Sequence, residues 1–404
     1  MIATVDDVAE AYVWGYPLVA TWRTRAAQGG TGRGMATRDR LSTAADRTVV
    51  APNDDTLYAS GWFDLRAGDL TVDVGAMEGN RYWSVMLLDA YTHVAYVCRR
   101  LHGSDGTRVR VRYDPAAPPD NRTAQDVVRV GTPTVWVLAR VLVDGPGDLE
   151  AARAAQARIR VRQQAGAAAA PPRREPGSSG AAEFFPRLRE ALAADPPADW
   201  HPPPPADLAA LLCDLSGEAV LADGIREGEA RMARHLGVDR RRNGWGTRSR
   251  GADFGADTAY RAAFAKVSLA GHLPAENRSY SRPWDGTVAA ALRFPAGAEP
   301  PVDGFWSLCV YGPDLFFVAN QIDRYSIGDR TPGLRRDPDG GLTVAVGHDR
   351  PGAGANWLPT PAGPCVLVLR AYEGHPDVVA AEWFPPDMAI DGAARGGDDD
   401  RGGV

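Results

Sequence analysis

Two adjacent carboxylates, an amide, a hydroxyl and a phenol fall within the short run Asn53-Asp54-Asp55-Thr56-Leu57-Tyr58. Pro52 ahead of it forces an extended entry, and Asn53 suits a tight turn. In an extended chain Asp54 and Asp55 point to opposite sides, so only one of them can face a given pocket. A buried aspartate has a raised pKa and can act as a general base; otherwise its side chain closes an Asx turn. Tyr58 can donate a proton or fill a core. A second polar cluster is Asn80-Arg81-Tyr82-Trp83 with Asp89-Ala90-Tyr91-Thr92-His93. A third runs from Asn320 through Asp323, Tyr325 and Ser326 to Arg330, directly after the apolar stretch Leu315 to Ala319. Polar density there fits either a strand end that lines a pocket or a well-bonded surface turn. Trp306, Trp357 and Trp383 read as core or interface anchors.

What is missing narrows the chemistry. The sequence has no phosphate-binding loop, no dinucleotide fingerprint, no H-E-x-x-H and no G-x-S-x-G. No cofactor is therefore expected. Its seven histidines are dispersed without an H-x-H pair, so no metal site is expected, and a lone His93 or His272 reads as structural. The four cysteines form no C-x-x-C pair, and Cys309 and Cys365 lie in apolar strand-like runs as inert core residues. A formal net charge of -6 argues against nucleic acid and anionic membrane as partners. Lys266 is the one lysine, so arginine carries the positive charge; this is genome bias or a supply of forks for anions. The N-terminus lacks a basic segment followed by a long apolar one, and no apolar run reaches membrane-span length. A cytoplasmic location is expected.

Several elements must position these groups. Residues 4 to 26 read as a helix capped by Thr4, with Pro17 set to kink or interrupt it, and residues 27 to 46 as a mobile loop. From Arg47 to Val143 the period is two: Tyr82, Ser84, Met86 and Leu88 share one face, and Val109, Val111 and Tyr113 oppose Arg108, Arg110 and Arg112. The arginine face reads as a solvated edge. An Ala/Pro-rich linker at residues 165 to 180 and a helix from Ser216 to His235 separate this region from a second one rich in strands. The fold class is mainly β with helical segments, α+β and multidomain. Its parts are an N-terminal helix and loop (1–46), a β-sandwich (47–148), a helical segment (149–245), a jelly-roll β-sandwich (246–390) and a disordered tail (391–404).

Arg47 to Tyr58, Asn80 to Tyr82 and Leu88 to Tyr91 together resemble the first of two tandem bacterial domains of unknown function, numbered twelve-fifty-four. Gly304 to Leu308, Arg324 to Arg330, Asn356 to Pro359, Leu369 to Tyr372 and Trp383 to Pro386 resemble the second, numbered twelve-fourteen. The resemblance implies an immunoglobulin-like sandwich, a helical segment and a C-terminal jelly roll, with no settled chemistry. It maps recurring polar positions onto Asn53, Asp55, Thr56, Tyr58, Arg81, Tyr82, Asp89 and Tyr91, and onto Asn320, Tyr325, Ser326, Arg330, Trp357 and Arg370.

Three functions follow from these residues. One is a cofactor-independent enzyme on a small polar or anionic metabolite, with its pocket between the two β domains. Asp54 or Asp55 would be the base, Tyr58 or Tyr91 the acid, and Arg81 or Arg330 the anion holder, enough for elimination, cyclisation or hydrolysis in biosynthesis. Another is a non-catalytic carbohydrate binder that stacks sugars on Trp83 and Trp245. The third is a structural subunit. A homo-oligomer is compatible with each.

Overall fold

The computed structural model describes residues 3–32, 34–47, 49–164 and 181–390. The expected linker at 165–180 and the expected disordered tail lie outside them. The chain forms two compact units. One comprises Met1–Leu41, Asp55–Asp239 and Arg248–Arg278; the other comprises Ser42–Asp54, Arg240–Thr247 and Ser279–Val404. The partition cuts the Asn53–Tyr58 motif between Asp54 and Asp55, and it differs from the five consecutive segments read from sequence.

In the first unit two strand layers enclose a core. A five-stranded antiparallel sheet runs Ala36–Arg38, Thr56–Asp64, Thr134–Leu142, Trp83–Asp89, Val94–Cys98. Opposite it a four-stranded sheet runs Val127–Val130, Thr107–Tyr113, Leu70–Val74, Ile159–Gln163, with its first two strands parallel and the rest antiparallel. Val85, Leu87, Val97, Val137 and Ala139 point inward from the first sheet and meet Leu70, Val72, Val109 and Val111 from the second. The period-two reading of Thr107–Tyr113 holds: Val109 and Val111 are buried, and Arg108, Arg110 and Arg112 are exposed. The expected 27–46 loop contains a short strand, Ala36–Arg38, whose backbone pairs with Tyr58 to Ser60. Three residues are too few to leave a periodic signal.

A helical layer completes this unit. Val5–Ala27 opens with a capping box between Thr4 and Asp7 and continues unbroken past Pro17. Proline removes one backbone donor. Burial of Trp14, Pro17, Leu18 and Val19 against the helices Ala181–Ala194 and Glu218–Ala233 and their neighbours outweighs that loss. The latter helix starts after Gly217, which makes no side-chain cap hydrogen bond, and Pro186 lies inside Ala181–Ala194. Among the described helices none is long and apolar enough to cross a membrane.

The second unit is a β-sandwich of a six-stranded and a four-stranded sheet. Trp306, Leu308 and Val310 on Val302–Tyr311 and Leu367 and Leu369 on Pro364–Gly374 face Leu292, Phe294, Val344 and Val346 across its core. These residues occupy alternate positions. Their sequence neighbours Phe305, Ser307, Cys309, Tyr311, Arg370 and Tyr372 therefore share the opposite face of the sheet.

Candidate functional site

That opposite face holds the most unusual charge in the second unit. Ser307 lies opposite Arg370, Phe305 opposite Tyr372, and Cys309 opposite Val368 in the antiparallel register. Only 8% of Arg370 is exposed. Its Nη1 donates to Tyr311 Oη at 2.6 Å and to Cys309 Sγ at 3.2 Å, and its Nη2 donates to the Ala51 carbonyl at 3.1 Å. A guanidinium has five N–H donors. At least two of them have no partner among the described residues, and none of these three acceptors is a carboxylate. Burial works against this charge, but Tyr311, Cys309 and Tyr372 around it hold its pKa well above the usual arginine range.

The first half of the polar motif lies on this face. Tyr311 Oη donates to the Pro52 carbonyl at 2.6 Å, and Asn53 Nδ2 donates to Tyr372 Oη at 2.7 Å. A carboxylate oxygen of Asp54 comes within 4.8 Å of Cys309 Sγ. Asp54 is half-buried, whereas Tyr311 is fully buried and burial pushes its phenol pKa far up. Phe305 stacks on Tyr372 at 4.1 Å between ring centroids, and the Arg330 guanidinium sits 4.2 Å over Phe305. The site thus offers a cation with spare donors, a neutral phenol, a thiol and a carboxylate. Such a set can bind an anionic group and move a proton beside it.

The other candidates of this unit serve its turns and core. Asn320 closes its own loop, taking N–H groups from Ile322 and Arg324 and donating to the Arg324 carbonyl. Tyr325 stacks on Phe317 and its hydroxyl donates to Asp323 Oδ1 at 3.2 Å. Ser326 sits opposite Cys309 in the sheet. Trp357 is buried, with Nε1 donating to the Gly347 carbonyl at 2.9 Å.

In the first unit the candidates separate. Asp55 is buried and its carbonyl receives Val143 N–H at 2.8 Å. Tyr58 lies on its strand beside Arg140, whose guanidinium is 5.4 Å from the ring centroid. Arg81 is spent: it forks onto Asp148 and donates to the Leu142 carbonyl, fastening the turn after Thr134–Leu142. Asp89 ties a turn, accepting Tyr91 and His93 N–H groups. Tyr91 is buried between Trp14 and His201 and gives its hydroxyl proton to the Asp195 carbonyl at 3.1 Å, so it is placed as a core residue rather than an exposed acid. Trp83 here, and Trp245 in the second unit, are fully buried and offer no stacking surface.

Sequence reasoning missed a buried carboxylate in this unit. Glu276 Oε1 lies 2.8 Å from Tyr82 Oη, and its Oε2 lies 3.3 Å from Arg100 Nε. Tyr82 Oη is also 3.0 Å from Ser84 Oγ. Tyr58, Arg140, Ser84 and Cys98 stand in one cross-strand row. Burial pushes the Glu276 pKa up against the pull of Arg100. The shared face of Tyr82 and Ser84 was readable from alternation. Glu276, far along the chain in a loop, gave no signal.

Comparison with known proteins agrees with this architecture. Residues 35–163 match the family described as Protein of unknown function (DUF1254), and residues 273–376 match Protein of unknown function (DUF1214). The chain carries these two family domains in tandem. In the DUF1214 match lie Arg370, Cys309, Tyr311 and Tyr372; the DUF1254 match spans both sheets of the first unit. The crystal structure of the VPA0106 protein from Vibrio parahaemolyticus is similar in fold, with a TM-score of 0.72 and 20% identity, over 96% of this chain and 100% of that one. An uncharacterized protein from Burkholderia cenocepacia aligns with a TM-score of 0.49 and 16% identity, over 95% of this chain and 88% of that one. No curated protein sequence matches the chain.

Proposed function

We propose that this protein is an enzyme that works without a cofactor, in the cytoplasm, on a small polar metabolite carrying a carboxylate, phosphate or sulfate. Elimination, cyclisation or hydrolysis fits the groups available. One observation carries the reading: Arg370 is a buried guanidinium with spare N–H donors and only neutral acceptors in hydrogen-bond contact. A buried charge is costly unless paired, and an anionic ligand group would pair it bidentately. Asp54 at the rim would then take a proton from the bound molecule, while Tyr311 stays a neutral phenol beside it.

A thermal-shift screen of small carboxylates, phosphates and sulfates tests the binding half. A ligand at about a hundred times its Kd stabilises by roughly 2.7 kcal/mol. Arg370→Met should erase the shift and Arg370→Lys should weaken it; a shift unchanged in both variants removes Arg370 from the site. Asp54→Asn should keep the shift and abolish turnover of the ligand so found. Binding with full turnover in that variant would discard Asp54 as the base.

A further inference from the structure

We propose that the outer face of the four-stranded sheet in the first unit holds a site for a phosphate monoester group, with Arg110 and Arg162 as its two sides and the Thr71 hydroxyl as its floor. The proposal does not depend on the reading of Arg370. Three neighbouring strands build this face. Leu70–Val74 lies in the middle, with Thr107–Tyr113 on one side and Ile159–Gln163 on the other. Their outward side chains form cross-strand rows. In one row Asp73 stands between Arg108 and Arg160, and it pairs with Arg108 at 3.1 Å. Two residues back along the middle strand, Thr71 stands between Arg110 and Arg162. Just beyond the strand end, Asp69 pairs with Arg112 at 3.1 Å. A carboxylate thus answers an arginine on either side of the Thr71 row, and the Thr71 row has none.

Arg110, Arg160 and Arg162 are exposed and have no hydrogen-bond or ion-pair partner among the described residues, and neither has Thr71. Two strand spacings, roughly 10 Å, separate the backbones of Arg110 and Arg162. A group seated over Thr71 meets both guanidinium forks and the hydroxyl. A phosphate monoester carries a charge near -2 and three acceptor oxygens, which matches two forks and one hydroxyl; a carboxylate would balance only one arginine. The flanking rows are neutralised by their own aspartates, so the unspent charge is local and does not form a track for a long polyanion. The outward positions of these three strands carry no aromatic ring on which a base could stack. None of the exposed large apolar residues, Val5, Val49, Val50, Ile322 and Ile390, belongs to these strands, so the face has nothing to insert into a bilayer. An open sheet face also has no walls to grip the rest of a ligand. The site therefore reads the phosphate group itself, whether a sugar or a peptide carries it.

The experiment titrates the full chain at low salt with glucose 6-phosphate and, separately, with a phosphoserine peptide, followed by phosphorus NMR. Glucose, the unphosphorylated peptide and acetate are the comparison ligands, followed by proton NMR. Both phosphorylated probes should bind, and acetate should bind at least ~5-fold more weakly. Raising the salt should weaken binding, since the site is exposed. Arg110→Gln and Arg162→Gln should each raise Kd at least ~5-fold. Thr71→Asp, which gives the row the carboxylate its neighbours have, should abolish binding. Arg129→Gln, which removes an arginine of the same sheet already paired with Asp114, should leave Kd within ~2-fold. Circular dichroism checks that each variant folds; should Thr71→Asp misfold, the two glutamine variants decide. Unchanged binding in Thr71→Asp, or an equal loss in Arg129→Gln, overturns the site. So does equal binding of the unphosphorylated probes, or no binding at about 10 mM. Binding that survives Thr71→Asp and disappears in Arg370→Met belongs to the Arg370 cluster and likewise overturns it.

Discussion

Asn53 donates its side-chain amide to the phenol of Tyr372 across 2.7 Å, joining the polar motif of the N-terminal region to a C-terminal strand more than three hundred residues away. Both residues are buried and belong to one unit. The Ser42–Asp54 segment is therefore built into the second sandwich. Asn53 acts there as a fastener, and that placement sets Asp54 near Cys309.

Tyr372→Phe should cost about 1–2 kcal/mol, since it deprives a buried amide donor of an acceptor. Asn53→Ala should cost a similar amount. A double-mutant cycle read by urea unfolding should show the two losses to be non-additive, because one bond is removed by both. Additive losses would mean that the two side chains contribute independently of each other.

Close packing of two helices gives a second expectation. A Cβ on Gly224 would lie 2.3 Å from Val8 Cγ1, and one on Gly228 would lie 2.7 Å from Tyr12 Cδ1. Both glycines lie in the helix Glu218–Ala233, where alanine has the higher helix propensity by about 1 kcal/mol. Propensity alone predicts stabilisation. The contact predicts the reverse, since overpacking a close-packed interface costs about 1–3 kcal/mol. Gly224→Ala should lower the thermal midpoint. A rise would show that the first helix can move aside freely.

Local physics was legible in the sequence and long-range register was not. The Thr4 capping box is a three-residue relationship and was readable directly. So was the alternation of Tyr82, Ser84, Met86 and Leu88, because side chains on a strand repeat every two residues. That the first helix runs on past Pro17 was not legible, because its compensation is tertiary: the core around Leu18 and Val19 comes from helices far along the chain. The Arg370 cluster was the hardest. Its members come from two strands and the Ala51–Pro52 turn, and which side chains meet depends on the pairing of Ser307 with Arg370. Cys309 accordingly read as an inert core residue, since burial and apolar neighbours were all that its local sequence displayed.

His93 gives the pH expectation. Its ring is packed among Trp200, His201 and Phe254, and its Nε2 has no hydrogen-bond partner among the described residues. Burial pushes its pKa down from 6.5 to about 3, against the pull of Asp89. The folded state therefore prefers the neutral ring, while the unfolded chain takes up a proton near the ordinary value. Stability from this group is complete above the unfolded pKa. It falls as the pH drops below 6.5 and levels off near the folded value of about 3. At about pH 5 the loss from His93 alone should be roughly 2 kcal/mol, taking about 1.4 kcal/mol per pKa unit. His93→Phe removes the titrating group and keeps an aromatic ring in the packing. Urea unfolding of both proteins between about pH 7 and 5 should show a steeper acid loss in the unmodified one by that amount. Equal slopes would mean that the ring titrates normally and that solvent reaches it in the native state.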